Sequence, residues 1–334
     1  MLDSMNITPT IAVIIPSNHA HTDLLKVVMT VCCQTVKPNE IIIVDSYFGA
    51  AFCPEDIANF CALHGVKLIY ENRKLAFPGQ ARNVGLGLTE AELIAFIDVQ
   101  TIPRPGWLEA SLKMLSNNVV GVFGSTSFVA ESWLEGLIRD AFFGALPRKT
   151  LPGSIFKREV FTKAGHFIDW VRAGEDTEWM LRLELMKLPV ASLPLALINY
   201  DGLIGINLNS ILIKWHRNYS ASHELPHLFP QKMFLWIVLY PLIIFIGFNW
   251  NYLIANWHED SPLYIAHITK MAAAFPIFAY VITRGILLPL RRRVGFSRLF
   301  PIRFLQIAGI CFMADAVKAY VFTLPKRKHY KESN

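Results

Sequence analysis

The sequence LIAFID, residues 93–98, is the stretch that decides the fold, because five apolar residues end there on a carboxylate. An apolar run without alternating polar residues is typical of a strand that is buried on both faces of a sheet. Comparable runs lie elsewhere in the first 130 residues, at 11–15, 41–44, 66–70 and 119–123. Amphipathic stretches separate these runs, so the sequence predicts an α/β domain with a largely parallel sheet.

Three residues, Pro16, Asp45 and Asp98, lie directly after such apolar runs. In open sheets of this kind, ligands bind at the carboxyl ends of the strands. We therefore expect the three residues to lie at a binding site. The alternative for each aspartate is a plain turn or a helix cap, which requires no ligand.

The composition indicates contact with a membrane. Hydrophobic residues make up 53% of the 334 residues, the mean hydropathy is +0.36, and the formal net charge is +6. The densest basic runs, at 291–293 and 326–328, flank apolar segments, where basic residues favour the cytoplasmic side. Nucleic-acid binding is not expected, because the first 230 residues contain no basic stripe interleaved with aromatic residues.

Three apolar segments follow residue 232. Residues 233–257 contain no charged residue and are long enough to cross a bilayer as a helix, and residues 271–290 form a second such segment. The third, at 300–324, carries three charged residues. We expect this segment to lie at the interface or to be re-entrant, although a third crossing stays open because Asp315 and Lys318 can partly neutralise each other.

These features predict a multi-pass membrane protein whose catalytic domain faces the cytoplasm. The five cysteines form no CxxC pair, which favours reduced thiols and therefore a cytosolic domain. Residues 1–10 are polar, and we expect no signal peptide there.

Three polar stretches follow in order along the same domain. GQARNVG, at 79–85, has an arginine and an asparagine in a predicted helix; FIDVQT, at 96–101, has a glutamine two residues after its aspartate; GEDTEW, at 174–179, begins a helix with three acids. Together with the strands at 11–15 and 41–44, they resemble the family-2 glycosyltransferases, which have the GT-A fold. The resemblance covers about two-thirds of the chain.

The resemblance implies a site for a nucleotide-diphosphate sugar. Pro16 and Asp45 match the strand ends that hold the nucleoside, where a carboxylate accepts hydrogen bonds from the base or ribose. Arg82 matches a position that supplies positive charge for the diphosphate, and Asn83 matches one that orients the loop. Arg217 is similar to an arginine that closes over the diphosphate in some members, and a membrane-interface belt is the equal alternative.

The resemblance also implies a divalent cation, Mg²⁺ or Mn²⁺, held at Asp98 and Gln100. The family usually has a second aspartate where this chain has Gln100, and the two carboxylates bind the cation that neutralises the departing diphosphate. An amide oxygen can ligate such a cation but carries no charge. Gln100 in place of the second aspartate implies that the metal is held mainly by Asp98 and the diphosphate. It also leaves open the alternative that the protein binds the nucleotide without transferring a sugar.

Asp176 matches the general base that deprotonates the acceptor hydroxyl, with Glu175 as a supporting or competing carboxylate. Backbone N–H groups at a helix start keep such a carboxylate ionised. The alternative is an ordinary capped helix in which Glu178 and Arg182 pair one turn apart.

The whole sequence therefore predicts a GT-A-like catalytic domain at 1–220 and a membrane region of two to three hydrophobic helices at 221–334. The implied function is inverting transfer of a sugar from a nucleotide-diphosphate sugar to a membrane-linked or envelope-glycan acceptor. The alternatives are a polyprenyl-phosphate sugar synthase, whose acceptor is the phosphate itself, and a catalytically inactive membrane protein that binds nucleotide sugar.

Overall fold

The computed structural model describes residues 9–18, 21–46, 54–74, 77–225, 235–255 and 257–324. The chain forms two compact units. The first comprises Met1–Val129 and Pro147–Ile204, and the second comprises Ala130–Leu146 and Gly205–Asn334. The functional division predicted at residue 220 stays a prediction.

The first unit is built on a mixed sheet. Its strands are β1 (Ile11–Ser17), β2 (Glu40–Asp45), β3 (Lys67–Asn72), β4 (Leu93–Phe96), β5 (Thr101–Pro103), β6 (Gly121–Phe128), β7 (Arg148–Lys157), β8 (Val190–Ser192) and β9 (Ile198–Tyr200). Seven helices accompany them in sequence: α1 (His21–Cys32), α2 (Glu55–Leu63), α3 (Pro78–Gly87), α4 (Trp107–Met114), α5 (Trp133–Phe142), α6 (Glu159–Ala164) and α7 (Glu175–Leu185). Of these, α5 belongs to the second unit.

The sheet confirms the prediction of an α/β domain with a largely parallel sheet. The described strands have the order β3-β2-β1-β4-β7-β6-β9-β5, with β8 pairing to β6. Strands β3, β2, β1 and β4 are all parallel, whereas β7 runs antiparallel to both β4 and β6. Parallel pairing therefore brings the carboxyl ends of the first four strands to one edge of the sheet.

The apolar strands are buried because helices cover both faces of the sheet. Val13 and Ile15 belong to one apolar cluster with residues of α1 and α2, while Ile14 and its neighbour Ala12 belong to a second cluster on the other face. Successive side chains of a strand point to opposite faces, so each strand residue contributes to one cluster or the other. This explains why these strands lack the polar alternation of a half-exposed sheet.

The second unit is helical. Besides α5 it contains α8 (Leu208–Glu224), α9 (Leu235–Leu253), α10 (Ile268–Val281), a π-helical turn (Ile282–Leu287), α11 (Leu288–Arg291), α12 (Phe296–Leu299) and α13 (Arg303–Thr323). Helix α10, the π-helical turn and α11 run on without interruption as one helix, Ile268–Arg291. Within the described residues, Ile268–Arg291 and Arg303–Thr323 are long and apolar enough to cross a membrane, by length and composition alone.

The apolar helices formed by the three segments differ in length from those expected. The segment expected to be the clearest crossing, 233–257, contributes an apolar helical stretch of shorter length, Leu239–Leu253. The third segment, expected at the interface, forms the continuous helix α13. The charge of Asp315 is compensated because its carboxylate accepts hydrogen bonds from Arg284. The basic run at 326–328 lies outside the described residues.

Candidate active site

Pro16 and Asp45 lie side by side at the edge formed by the strand ends. Pro16 is in register with Val44 on the parallel strand β2, and Ser17 is in register with Asp45. The Asp45 carboxylate is 6% exposed and accepts a hydrogen bond from the Tyr70 hydroxyl at 2.8 Å. The next strand, β3, thus orients the carboxylate that was predicted to face the nucleoside.

Arg82 joins two other predicted site residues to each other. Its side chain lies on α3 and is 2% exposed. Nη2 donates to Asp98 Oδ1 at 2.8 Å, and Nη1 donates to Glu175 Oε1 at 2.6 Å. A single guanidinium therefore links the end of β4 to the start of α7, two elements that are far apart in sequence.

Helix α3 can deliver this guanidinium because it approaches the start of α7 closely. Pro78 occupies the first turn of α3, where its missing N–H costs nothing. A Cβ on Gly79 would collide with the Ile168 carbonyl oxygen and lie 3.1 Å from Glu175 Cγ. The glycine therefore permits a backbone approach that a side chain would block.

The charges of this cluster influence one another strongly. Burial alone would lower the pKa of Arg82, but Asp98, Glu175 and Asp176 together raise it, so the guanidinium stays charged. Burial raises the pKa of Glu175 above its usual range, and the charge of Asp176 adds to this while Arg82 opposes it. Among the described residues, Glu175 Oε2 and Arg82 Nε have no hydrogen-bond partner. Glu175 is thus a buried partner of Arg82.

Asp176 is more accessible than Glu175 and occupies the first turn of α7. It is half-buried, and its Oδ1 accepts a hydrogen bond from the Thr177 backbone N–H at 2.7 Å. Helix α7 is anchored beneath it by Trp179, which is fully buried and stacks on Phe161 with ring centroids 5.2 Å apart. The anchored helix holds the carboxylate in a defined place at the edge of the unit.

Asn83 fixes the loop that leads into α7. Its Nδ2 donates to the Phe167 carbonyl at 2.8 Å, and its Oδ1 accepts from the Phe167 N–H at 3.0 Å. The amide thus bonds to both backbone groups of one residue, as a neighbouring strand would. The alternative pairing considered for α7 is also present, since Arg182 donates to Glu178 at 3.1 Å.

Gln100 lies in a tight turn after Asp98. The Thr101 hydroxyl donates to the Asp98 carbonyl at 2.6 Å, and the Thr101 N–H donates to the same carbonyl at 2.9 Å. Gln100 is exposed, and its Oε1 faces the Tyr200 hydroxyl at 3.4 Å. Within the part of the chain that the structure describes, no three His, Cys, Asp or Glu side chains group as a metal site.

Two polar residues near the strand ends were missed by sequence reasoning. Tyr70 was counted only as a strand residue, yet its hydroxyl holds Asp45. Ser17 is 5% exposed at the end of β1, and its hydroxyl has no partner among the described residues. The signal for Tyr70 was its place at the end of the strand adjacent to β2, with a hydroxyl at the tip. Arg217 lies on α8 in the second unit, and its role stays a prediction.

Comparison with known proteins now shows what the first unit is similar to. Residues 12–171 match the family described as glycosyl transferase family 2. The described sheet of this unit is mixed and mostly parallel. The matched region contains the strand ends and Arg82, but it ends before Glu175 and Asp176.

The chain is similar to two curated relatives, each a pre-mycofactocin glycosyltransferase, from the CDC 1551 / Oshkosh and ATCC 25618 / H37Rv strains of Mycobacterium tuberculosis. The identity is 24% over 209 residues, which is 57% of this chain and 42% of each relative. The chain thus spans less than half the length of the curated relatives it matches.

Solved structures with a similar chain course include a mannosyltransferase from Pyrobaculum calidifontis, PcManGT, in complex with GDP-Man and Mn²⁺. That protein is 15% identical, with a TM-score of 0.49 over 91% of this chain and 87% of that one. TarS of S. aureus, residues 1–349 with UDP-GlcNAc, is 12% identical, with a TM-score of 0.45 over 94% of this chain and 92% of the other.

Proposed function

We propose that the first unit transfers a sugar from a nucleotide-diphosphate sugar to an acceptor hydroxyl, with inversion at the anomeric carbon. The observation that carries the proposal is the Arg82 bridge, which brings Asp98 at a strand end next to the helix start that bears Asp176. The match to glycosyl transferase family 2 supports the class of reaction.

Each residue of the site has its own role in the proposed reaction. Pro16 and Asp45 bind the nucleoside, and Asp98 faces the diphosphate. Asp176 accepts the proton of the acceptor hydroxyl, whose oxygen then bonds to the anomeric carbon on the face opposite the diphosphate. The bond from that carbon to the diphosphate breaks, and the nucleotide leaves with the electron pair. Such a reaction depends on positioning and charge stabilisation and needs no covalent intermediate.

Arg82 and Glu175 act behind this surface. Both side chains are nearly fully buried, so we assign them to holding Asp98 and α7 in place. The positive charge of Arg82 also attracts the diphosphate through space. Arg82 therefore contributes to donor binding, as predicted from the sequence, although its side chain is buried. Asn83 positions the loop before α7 through its paired bonds to Phe167.

A divalent cation fits this site if the donor completes its coordination. The chain offers the Asp98 carboxylate, one oxygen of which already accepts from Arg82, and the amide oxygen of Gln100. Mg²⁺ is ordinarily held by one or two carboxylates together with substrate phosphates and water. Asp98 and Gln100 would hold the cation, and it would supply neutralisation of charge on the leaving diphosphate.

We also propose membrane attachment through several crossings, with the catalytic unit on the cytoplasmic side. The two helices Ile268–Arg291 and Arg303–Thr323 support attachment by length and composition. The basic run at 291–293 favours the cytoplasmic side for the end where it lies. This location suits a lipid-linked or growing envelope-glycan acceptor, with the catalytic domain at 1–220 and the membrane region at 221–334.

Two other functions follow from particular residues. A polyprenyl-phosphate acceptor needs no strong base, and Asp176 would then contribute little. The second alternative is a protein that binds nucleotide sugar without transferring it. Gln100 favours this alternative because the cation site has one negative charge fewer than it would have with a second aspartate.

Calorimetric titration tests the proposal. UDP and GDP, each with and without Mn²⁺, are titrated into the intact chain and into Asp98→Ala, with Glu90→Gln as the control because the Glu90 side chain is 97% exposed. We expect one nucleotide to bind only with the metal, and this binding to be lost in Asp98→Ala alone. Binding of neither nucleotide, followed by failure of the remaining nucleoside diphosphates, would overturn the donor site.

A further inference from the structure

Asp140 on α5 is a buried carboxylate surrounded by three arginines. Its side chain is 2% exposed. Arg298 Nε and Arg303 Nε donate to Asp140 Oδ2 at 2.8 Å and 3.0 Å, and Arg139 Nε donates to Oδ1 at 3.3 Å. All four residues belong to the helical unit. A carboxylate so placed sets the positions of the guanidinium groups around it.

The three guanidiniums carry more charge and more donors than Asp140 can use. Each has five N–H donors, whereas a carboxylate offers about four acceptor positions. The cluster has two positive charges in excess. The Arg298 side chain is 46% exposed, and no described residue accepts from its two terminal nitrogens. Donors of Arg298 are therefore available at the surface.

One terminal nitrogen of Arg298 and one of Arg303 lie close to the same place on α5, and Arg303 Nη2 is also 3.0 Å from Asp140 Oδ2. A Cβ on Gly136 would lie 2.9 Å from Arg303 Nη2 and 3.5 Å from Arg298 Nη2. The two nitrogens come from different side chains, yet both lie close to the same point. Because Gly136 has no side chain, the guanidiniums can lie directly against the helix backbone. Planar forks brought together in this way suit the several oxygens of a phosphate group.

The surroundings favour a phosphate that belongs to a lipid. Arg298 lies in the segment 292–302, which joins the two helices long enough to cross a membrane, and Arg303 begins the second of them. No acidic residue occurs in 291–303. Phe296 and Phe300 in the same segment are 63% and 37% exposed, and their rings lie 4.5 Å apart. Exposed phenylalanine rings beside arginines are typical of a segment that lies at the boundary between the headgroups and the acyl chains of a bilayer.

We propose that Arg298 and Arg303, held in place by Asp140, form a binding site for the phosphate group of a membrane lipid. The phosphate oxygens accept from the Arg298 and Arg303 forks, while Phe296 and Phe300 contact the adjoining hydrocarbon. This site rests on the proposed membrane attachment and is independent of glycosyl transfer.

The test measures binding of short-chain lipids to the full chain in neutral detergent. Dioctanoyl phosphatidic acid, dioctanoyl phosphatidylcholine and inorganic phosphate are titrated into the native chain, Arg298→Gln and Lys270→Gln. Arg298→Gln leaves Arg139 and Arg303 to pair with Asp140. Lys270 is an exposed cation near the opposite end of the helix Ile268–Arg291 and serves as the matched control.

We expect phosphatidic acid to bind the native chain and Lys270→Gln equally, and Arg298→Gln about fivefold more weakly, as expected for one arginine near an anionic headgroup. Arg298→Lys keeps the charge without the fork, and its affinity should fall between these. Melting curves of each variant establish that it is folded.

Three results would overturn the lipid site. Equal weakening in Lys270→Gln and Arg298→Gln would show general attraction of anions by a basic chain. Inorganic phosphate that binds as tightly as phosphatidic acid would show a site for free anions. A native chain that does not bind phosphatidic acid would remove the site altogether. Membrane attachment is measured separately, by co-sedimentation with phosphatidylcholine vesicles. The proposed donor site is measured separately as well, by nucleotide binding.

Discussion

At the scale of single residues, Asp176 and Glu175 are neighbours in sequence with opposite environments. Glu175 is 4% exposed and paired with Arg82, whereas Asp176 is half-buried at the surface of the site. A general base must reach the proton that it removes, so accessibility separates the two carboxylates. This difference supports the proposed role of Asp176 in proton transfer, while Glu175 pairs with Arg82.

The assignment predicts that Asp176→Asn lowers the turnover number about 100- to 10,000-fold, the usual contribution of a general base. The nucleotide dissociation constant should stay unchanged, because Asp176 does not contact the donor in the proposed arrangement. The turnover number is measured as donor consumption in membranes that contain the acceptor, and the nucleotide dissociation constant is measured by calorimetry. Asp169→Asn, at an exposed position, is the control.

Retention of most of the turnover in Asp176→Asn would favour the phosphate acceptor, which needs no strong base. Loss of nucleotide binding in the same variant would instead place Asp176 at the donor. Either result would contradict the assignment of Asp176 as the base that serves a hydroxyl acceptor.

Glu175 leads to a prediction about pH. Burial raises the pKa of Glu175 in the folded chain, with Asp176 adding to the shift and Arg82 opposing it. The folded state then holds its proton to a higher pH than the unfolded state does. The stabilising contribution of this group is present below the unfolded pKa and is lost as the pH rises through the folded pKa. Over that window the free energy of unfolding falls by at most about 1.4 kcal/mol per pH unit.

Urea unfolding between pH 4 and pH 8 measures this effect as the difference between the native chain and Glu175→Gln. We expect the native chain to lose stability relative to the variant as the pH rises, because glutamine does not titrate. A difference that grows in the opposite direction would mean that Arg82 outweighs burial and lowers the pKa.

The burial of Arg82 was beyond sequence reasoning. Arg82 was expected to supply positive charge for the diphosphate, and its side chain is 2% exposed between two carboxylates. Its partners lie 16 and 93 residues away, so the contact exists only once β4 and α7 have come together. Motif spacing identified the participants, whereas their mutual distances depend on the tertiary structure.

At the scale of elements, α3 depends on its first glycine. A Cβ at Gly79 would collide with the Ile168 carbonyl and contact Glu175, while a Cβ at Gly87 in the same helix would meet nothing within 4 Å. Gly79→Ala should therefore lower the free energy of unfolding by about 1–3 kcal/mol, as overpacking does. Gly87→Ala should be neutral or stabilising by up to about 1 kcal/mol, because alanine favours the helix.

Urea unfolding of the two variants compares the same chemical change in one helix. Gly79→Ala should also weaken nucleotide binding, because Arg82 would move with α3 away from Asp98. Equal stabilities for the two variants would show that α3 and the loop around Ile168 are not in close contact.

The strands of the parallel half were predictable because each is buried on both faces and therefore reads as an apolar run. The strands β8 and β9 were missed, since each has three residues and is defined by its pairing with β6 rather than by its own sequence. The membership of α5 in the helical unit was equally hidden. It depends on Asp140, whose partners Arg298 and Arg303 lie more than 150 residues further on.

At the scale of the whole molecule, both units bury paired charges. In the first unit the Arg82–Glu175 pair accompanies a sheet whose two faces are covered by apolar side chains, and the helical unit has a buried ion pair of its own. Arg284 and Asp315 are each 3% exposed and form an ion pair, and the Tyr280 hydroxyl donates to Asp315 at 2.8 Å. In a membrane-spanning helix such charges are costly unless they are paired.

The pairing predicts strong coupling between the two charged residues. Arg284→Leu leaves Asp315 as a buried charge without its cation and should lower the free energy of unfolding by about 3–5 kcal/mol, and Asp315→Leu should do likewise. The double variant replaces both charges by apolar side chains and should recover most of that loss. Thermal unfolding in detergent measures the four forms, with Lys270→Leu as the control for an exposed charge.

The outcome separates two accounts of these helices. If the losses of the single variants add in the double variant, Arg284 and Asp315 act independently and the ion pair does not hold the helices together. If the double variant recovers, the charges serve each other, and an apolar replacement leaves Ile268–Arg291 and Arg303–Thr323 better suited to a bilayer. Membrane retention of the double variant after an alkaline wash should then equal or exceed that of the native chain.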